Sequence, residues 1–517
     1  MPHTRVFICI VIAALSCVRA EAIATPLDDY VNAPDPAYSW ALIQTEPGQE
    51  STDYILTMTS QTWQPLETVS QPVWTHIVRL TIPHTVSSSI GLVRIGSGSN
   101  TSMPPAANRT ELREITVATG SITAEIMYVP NQPLAFADGI DRREDDQIAY
   151  CWDKFLRSGD AIWLSRLPMT KAVVRAMDTV TAFAAEQADA TVDEFVIVGA
   201  SKRGWTTWTT AAVDDRVVAI APQVIDLLNV EPSFAHHFSA LGFWASAIDD
   251  YVFHGIEQWN GTPEYRRMLD IVDPYSYLHR FGTERIFIMN SAGDEFFLPD
   301  STRFYWDDVP GPKHLRYFPN TGHGLDSSAY ESLALWYQAV ITDTPLPTFN
   351  WSMEPDGRIL VDTSGTSPSE VILWQATNPD ARDFNHSLYG NLYTSAPLAP
   401  SGPDTYEAGV PEPPEGWTAF FVEVRYPSDG GGIHRFTTEV SIVPDTYVAS
   451  YPYTPRVAGD VNEDGTVDAV DVQLAINAAL GVAIHWAYKA DINDDGEVNA
   501  IDVQMAINAA LGIEIEG

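Results

Sequence analysis

The sequence predicts an α/β fold built on a mostly parallel sheet, followed by an all-β module and a small all-α module. Three observations predict it. Short apolar runs alternate with helical stretches from about residue 90 to 341, the pattern of right-handed crossovers between parallel strands. From about Pro347 that alternation gives way to short strands divided by Gly, Pro and Asp turns. Near the C-terminus a 22-residue segment occurs twice, each copy ending in apolar residues at helical spacing. The length of 517 residues has room for roughly two to four domains.

Composition narrows the function classes. Lys+Arg total 29 against 68 Asp+Glu, a formal charge of −39, and 45% of residues are hydrophobic. The apolar share excludes a wholly disordered acidic chain. The charge argues against general binding to nucleic acid or anionic lipid, which needs a cationic surface.

The elements follow in order. Met1–Ala20 reads as a secretory signal peptide: Arg5, then the apolar run Val6–Ser16, then small residues at Val18-Arg19-Ala20 and Ala20-Glu21-Ala22. A lipid anchor at Cys17 is disfavoured by Ala14, which stands where Leu is preferred. Cleavage removes Cys9 and Cys17 and leaves Cys151, so the secreted chain has no internal disulfide. No other apolar run approaches the roughly 18–20 residues of a membrane helix. Tyr54–Ser60 and Trp74–Ile82 read as the antiparallel start of the sheet. Strands are expected at Ile90–Ile95, Ser121–Val129, Phe195–Val198, Val217–Ile225, Arg285–Asn290 and Leu315–Phe318. Helical stretches are expected at Met169–Gln187, from Lys202, and near 302–308 and 327–341. Residues 231–281 form an insertion rich in aromatics, including Phe234, Phe243, Trp244, Phe253 and Trp259, of the kind that caps a catalytic mouth. Its rings, like Trp152, Trp163, Trp205 and Trp208, suit either ligand stacking or cap packing. Residues 346–444 suggest a β-sandwich, and 445–456, with Tyr451-Pro452-Tyr453-Thr454-Pro455, a semi-stiff linker.

The chemistry centres on residues 194–213, EFVIVGASKRGWTTWTTAAV. A buried strand runs into Gly199-Ala200-Ser201 and then into a helix, the strand–elbow–helix setting of a hydrolase nucleophile. The string departs from G-x-S-x-G, because Arg203 takes the last glycine position and Gly204 follows; Ser201 as a plain N-cap is the alternative. Asp294 and His323 lie just past the ends of two later strands, where functional groups of such sheets gather. The order Ser201, Asp294, His323 provides a hydroxyl nucleophile, a buried carboxylate and a near-neutral base. Asp226, at the end of the preceding strand, is the reserve acid. The Lys202 amide and the Gly96, Ser97 and Gly98 loop are the expected oxyanion donors. The adjacent pair His236-His237 lacks metal-ligand spacing.

At these residues a resemblance emerges. The strings PNQPL (130–134), REDDQIAYCWDKFL (143–156), RLPMTKAVVRAMDT (166–179), GASKRGWTTW (199–208), VIDLLNV (224–230), VDPYSY (272–277) and AGDEFFLPDS (292–301) resemble the PhoPQ-activated pathogenicity-related proteins. The resemblance covers about residues 30–444. It implies an α/β-hydrolase fold, and hence a catalytic domain over 21–345, with no cofactor for catalysis. The basic residue after the serine is also similar to glucuronoyl esterases. On that likeness Lys202 would favour an anionic substrate or the oxyanion; a solvated helix lysine is the alternative.

The repeat, DVNEDGTVDAVDVQLAINAALG (460–481) and DINDDGEVNAIDVQMAINAALG (491–512), agrees at 16 of 22 positions. Each copy opens with a 12-residue loop whose oxygens fall at calcium-ligand positions. The first offers Asp460, Asn462, Asp464, Thr466, Asp468 and Asp471; the second offers Asp491, Asn493, Asp495, Glu497, Asn499 and Asp502. Position 12 is Asp, and no helix-length segment precedes the first loop. These features resemble a type I dockerin over about 457–513. That resemblance implies two Ca2+ ions and a cohesin partner, read by Ala469, Val470, Ala500 and Ile501. The expectation is a secreted serine hydrolase, an ester hydrolase linked to polysaccharide breakdown. A peptidase or amidase of the same fold, and a non-catalytic binding protein with a hydrolase shell, are its rivals.

Overall fold

A computed structural model describes the chain except for residues 1–23, 103–108, 429, 452–458, 463–465, 483–489, 491, 494–497 and 514–517. The segment expected to be a signal peptide, with Cys9 and Cys17, and the loop residues Asp464, Asp491, Asp495 and Glu497 therefore lie outside the described residues.

The chain begins with α1 (Pro26–Asn32), β1 (Ser39–Pro47), β2 (Ser51–Thr62), β3 (Val73–Pro83) and β4 (Ile90–Ile95). Next come α2 (Thr110–Thr119), β5 (Thr123–Ile126), a two-residue ribbon of β6 (Leu134–Ala135) and β7 (Asp141–Arg142), α3 (Glu144–Ser158) and α4 (Arg166–Ala188). β8 (Glu194–Ala200), α5 (Lys202–Val213) and β9 (Val217–Gln223) follow, then the insertion helices α6 (Val230–Leu241), α7 (Asp249–Phe253) and α8 (Pro263–Val272). β10 (Arg285–Ser291), β11 (Lys313–Phe318) and α9 (Ser328–Ile341) complete the unit.

Nine of these strands form one sheet in the order β1-β2-β3-β5-β4-β8-β9-β10-β11. β3 runs antiparallel to both neighbours, and every pair from β5 to β11 is parallel. The central strands read as unbroken apolar runs because both faces are buried: Ile197 joins one hydrophobic cluster, Val196 and Val198 the other. β5 is shorter than the apolar run 121–129, because the Met127 amide turns to the Ile77 carbonyl and Tyr128 adopts φ 67°. The stretch near 302–308 is a single 3-10 turn at Ser301–Phe304.

Behind α9 lie two antiparallel sheets. One joins β12 (Asn350–Met353), β13 (Ile359–Asp362), β17 (Thr405–Ala408) and β16 (Pro400–Gly402). The other joins β15 (Thr394–Pro397), β14 (Glu370–Asn378), β18 (Trp417–Pro427), β19 (Ile433–Thr437) and β20 (Ser441–Val443). The short helix α10 (His386–Tyr389) sits between β14 and β15. Ile359, Val361 and Ala408 of the first sheet share a buried cluster with Phe420, Val422 and Val424 of the second, and with Phe287 and Trp336 of the preceding unit. The Tyr317 amide also donates to the Thr437 hydroxyl at 2.9 Å. The core is thus continuous across residue 345.

Residues 445–451 do not hang free. Asp445 pairs with Arg303 at 3.0 Å, Tyr447 meets His236, and the Val448 and Ala449 amides donate to the Ser239 carbonyl of α6. Tyr451 packs edge-on against Phe238 and Trp244. The C-terminal helices α11 (Ala469–Ala479) and α12 (Ala500–Ala510) pack together over Val461, Ala475, Ile492 and Ala506. Among the described residues no helix is long and apolar enough to cross a membrane.

Candidate active site

Ser201 sits on the turn between β8 and α5 at φ 58°, ψ −129°. A residue with a side chain pays strain there, and the neighbouring glycines show why the turn is so tight. A Cβ on Gly199 would lie 2.3 Å from the Arg203 carbonyl oxygen, and one on Gly204 2.8 Å from Ile225 Cγ2. The Ser201 amide donates to the Gln223 carbonyl at 2.8 Å, locking the turn to β9. The hydroxyl makes no capping bond to α5, so Ser201 is not a side-chain N-cap.

The loops after β10 and β11 bring Asp294 and His323 together. His323 Nδ1 lies 2.9 Å from both Asp294 carboxylate oxygens. Asp294 is held in turn by the Phe296 amide at 2.8 Å. With its Nδ1 proton on Asp294, His323 presents Nε2 as an acceptor, and that atom is buried with no hydrogen-bond partner. Phe296 and Phe297 pack on the imidazole, with centroids 4.3 and 5.9 Å away, and both also line the pocket that holds Ser201. No hydrogen bond joins Ser201 to His323 among the described residues.

Asp226 is excluded as the partner of His323. It is buried, and the Tyr305 hydroxyl (2.7 Å) and the Tyr317 hydroxyl donate to its two oxygens. Burial pushes its carboxyl well above the usual range.

Of the expected oxyanion donors in the 96–98 loop, one amide is already engaged. The Gly96 amide already donates to the Ile126 carbonyl at 2.7 Å. The Ser97 carbonyl accepts from Tyr128 and the Gly98 carbonyl from Gln132, and none of the three residues lines the Ser201 pocket. Lys202 does line it and opens α5, where the first amides have no acceptor within the helix. Its side chain is not a solvated one: Nζ is buried between Asp145 (2.9 Å) and Glu144 (3.1 Å). Arg203 pairs with Glu144 at 2.6 Å and donates to the Val129 carbonyl. Burial alone would raise the Glu144 carboxyl, but Arg203 and Lys202 outweigh it and hold it near 2.

The remaining pocket wall is largely aromatic, with Trp152 and Trp205 joined by Phe234 and Tyr251 of the insertion. Trp208 packs on Phe281 instead, and Phe253 is 83% exposed. The two adjacent histidines part company. His236 bridges Asp300 and Tyr447, each at 3.0 Å, while His237 lines the pocket, accepts from the Ala245 amide and is lowered to about 3 by burial.

Sequence reasoning missed three supports. Glu295 accepts the His323 amide at 2.5 Å and the Ser387 hydroxyl, so a residue from beyond 345 buttresses the histidine loop. Glu144 and Asp145 clamp the basic pair after the serine; the acidic start of REDDQIAYCWDKFL, set against Lys202-Arg203, was the available signal. Arg166 lines the pocket from the start of α4.

In the C-terminal repeat, Asp471 and Asp502 are fully buried at loop position 12. Asp471 accepts the Val461, Asn462 and Asp468 amides, and Asp502 the Ile492, Asn493 and Asn499 amides. No basic side chain reaches either among the described residues, which fits a bound divalent cation. No cluster of three or more His, Cys, Asp or Glu ligands occurs among the described residues. Ala469, Val470, Ala500 and Ile501 are exposed at the two helix starts.

Strand order, the strained serine turn and the His323–Asp294 pair define a protein of the α/β-hydrolase fold. The chain belongs to the PhoPQ-activated pathogenicity-related protein family, whose model matches residues 27–385, and it carries a type I dockerin domain at 458–511. Type I dockerins bind calcium. The chain is 37% identical over 467 residues to autocrine proliferation repressor protein A of Dictyostelium discoideum, covering 84% of this chain and 94% of that protein. Among solved structures it is similar to an acetyl xylan esterase from Paenibacillus sp. R4, with 15% identity, TM-score 0.43 and 61% and 92% of the two chains covered. A glucuronoyl esterase from Solibacter usitatus is also similar, with 14% identity, TM-score 0.36 and 59% and 87% covered.

Proposed function

We propose that the chain is a secreted serine hydrolase acting on carboxylic esters, held on a cohesin-bearing scaffold by its dockerin. The observation that carries this reading is the His323–Asp294 pair packed on Phe296 and Phe297, two rings that also line the pocket of the strained Ser201 turn. Ser201 Oγ attacks the ester carbonyl carbon and His323 Nε2 takes the hydroxyl proton. Asp294 steadies the imidazolium. The Lys202 amide, at the positive end of α5, donates to the developing oxyanion. His323 then protonates the leaving alcohol, and water, activated by the same imidazole, frees the acyl group.

In the dockerin, the oxygens of Asp460, Asn462, Thr466, Asp468 and Asp471 would hold one Ca2+, and Asn493, Asn499 and Asp502 a second, each with the loop ligands outside the described residues. The exposed Ala469-Val470 and Ala500-Ile501 pairs would meet the cohesin. The dockerin makes an ester on a cell-wall polysaccharide the favoured substrate class, since such modules accompany polysaccharide-degrading enzymes.

The relative from Dictyostelium discoideum is named a proliferation repressor, which favours one rival reading: a hydrolase shell without turnover. Fluorophosphonate labelling of the full chain, with an ester screen beside peptide p-nitroanilides, separates the readings. The proposal expects labelling that Ser201→Ala abolishes, and ester turnover above anilide turnover. Equal labelling of Ser201→Ala would sink the serine reading. Labelling with anilide preference would make the protein an amidase, and no labelling would favour the silent shell.

A further inference from the structure

Arg166 is a buried charge that the proposed reaction leaves without a task. It opens α4, is 3% exposed and lines the pocket that contains Ser201. Its guanidinium lies 4.2 Å from the centroid of the Trp205 ring, and Nη1 donates to the Lys202 carbonyl at 2.9 Å. Nε is buried with no acceptor. Among the described residues Arg166 forms no ion pair.

Its cationic neighbours are differently placed. Lys202 is shared between Glu144 and Asp145, and Arg203 is paired with Glu144. Both carboxylates are in direct ion pairs with Lys202 and Arg203, and Arg166 is the cation without a direct carboxylate partner among the described residues. The Tyr251 hydroxyl and Asp145 lie near enough to favour its charge, but Asp145 is already paired with Lys202 and accepts from Tyr251, so the buried guanidinium has no carboxylate to itself. A pocket that keeps such a group has a use for it when a ligand supplies the missing charge.

We infer that Arg166 reads a negative charge on the substrate: a carboxylate borne by the acyl or the alcohol part of the ester, seated against Arg166 and the Trp205 face. This rests on the serine-hydrolase reading of the same pocket. The planar, fork-like guanidinium suits a carboxylate, and the surrounding aromatic wall lowers the local dielectric and strengthens the pair. A neutral ester brings no charge to the guanidinium, whose Nε stays without an acceptor. Arg166 is therefore a specificity-determining residue, acting through binding rather than proton transfer.

The test compares matched esters on the full chain. p-Nitrophenyl hemisuccinate against p-nitrophenyl butyrate places the charge on the acyl side; 4-acetoxybenzoate against phenyl acetate places it on the alcohol side. In at least one arm the parent should favour the charged ester by about tenfold or more in kcat/KM. Arg166→Met should cut that ratio about tenfold, and Arg166→Lys should restore part of it. A ratio near one in both arms, or a ratio unmoved by Arg166→Met, overturns the inference. Should Arg166→Met fail to fold, competition on the parent decides: butyrate should slow fluorophosphonate labelling where butyramide does not, and equal slowing overturns it. A parent that labels and shows no charge preference removes Arg166 alone. A parent that neither labels nor turns over removes the hydrolase reading and this inference together.

Discussion

Replacing Asp294 by Asn tests the geometry of the site most directly. The Phe296 amide pins one carboxylate oxygen at 2.8 Å, so the Asn carbonyl keeps that place. Its NH2 then takes the other position, 2.9 Å from His323 Nδ1. The Asn carbonyl is also 2.9 Å from Nδ1, but the new NH2 sets a donor against the Nδ1 proton and favours the tautomer protonated at Nε2, the atom that accepts from Ser201 in the proposed reaction. The variant also loses the charge that stabilises the imidazolium. At an effective dielectric of about 20, opposite charges about 3 Å apart attract by about 5 kcal/mol. The His323 side chain is 23% exposed, and the resulting screening lowers this to about 3–5 kcal/mol. The expected loss is about 10²- to 10⁴-fold in kcat on p-nitrophenyl acetate, with a similar slowing of fluorophosphonate labelling. Asp226→Asn is the control, since Asp226 touches Tyr305 and Tyr317 rather than His323. It should change kcat by less than about threefold. An Asp294→Asn enzyme that keeps more than a tenth of parental kcat, or an Asp226→Asn enzyme that falls as far, would refute the reasoning.

Two further outcomes follow from the packing. Chelation should unfold the dockerin and spare ester hydrolysis. The buried cluster of that module, Val461, Ala475, Ala490, Ile492 and Ala506, is too small to hold it without metal. Unchanged protease resistance of residues 457–512 in EDTA would count against bound calcium. Asp273 is buried, and burial raises its carboxyl to about 6 even though the Val230 and Tyr275 amides donate to it. A folded value above the ordinary 3.8 means that its contribution to stability is full below about pH 3.8 and is lost as pH rises through about 6, a change of about 3 kcal/mol. Asp273→Asn stays neutral, so its melting temperature relative to the parent should climb from pH 4 to 7; a flat difference speaks against that account.

The parallel core was legible because strands buried on both faces need continuous apolar runs, and Phe195–Val198 is one. The serine turn was legible from its small neighbours, which the close approaches at Gly199 and Gly204 require. The acid was not. Asp226 and Asp294 both follow strands, and only the loop path after β10 decides which carboxylate meets His323. The Lys202 clamp depends on Glu144 and Asp145, 57 or more residues away in sequence. The 96–98 loop was expected to offer oxyanion donors because it follows the strand Ile90–Ile95; in the fold the Gly96 amide is spent on Ile126. The segment 445–456 has the Pro and Tyr content of a tether, and nothing in that content shows that Tyr447 and Tyr451 find α6.

That docked tail changes the mechanics of attachment. Contacts with the hydrolase-fold body continue to Tyr451 rather than ending at Asp445. A pull through a scaffold would reach the Tyr451 contacts on α6 before the Asp445–Arg303 pair. The helix that takes this load also carries Phe234 and His237 of the pocket wall. Among the described residues, the last one anchored before the dockerin therefore rests on a helix of the pocket wall.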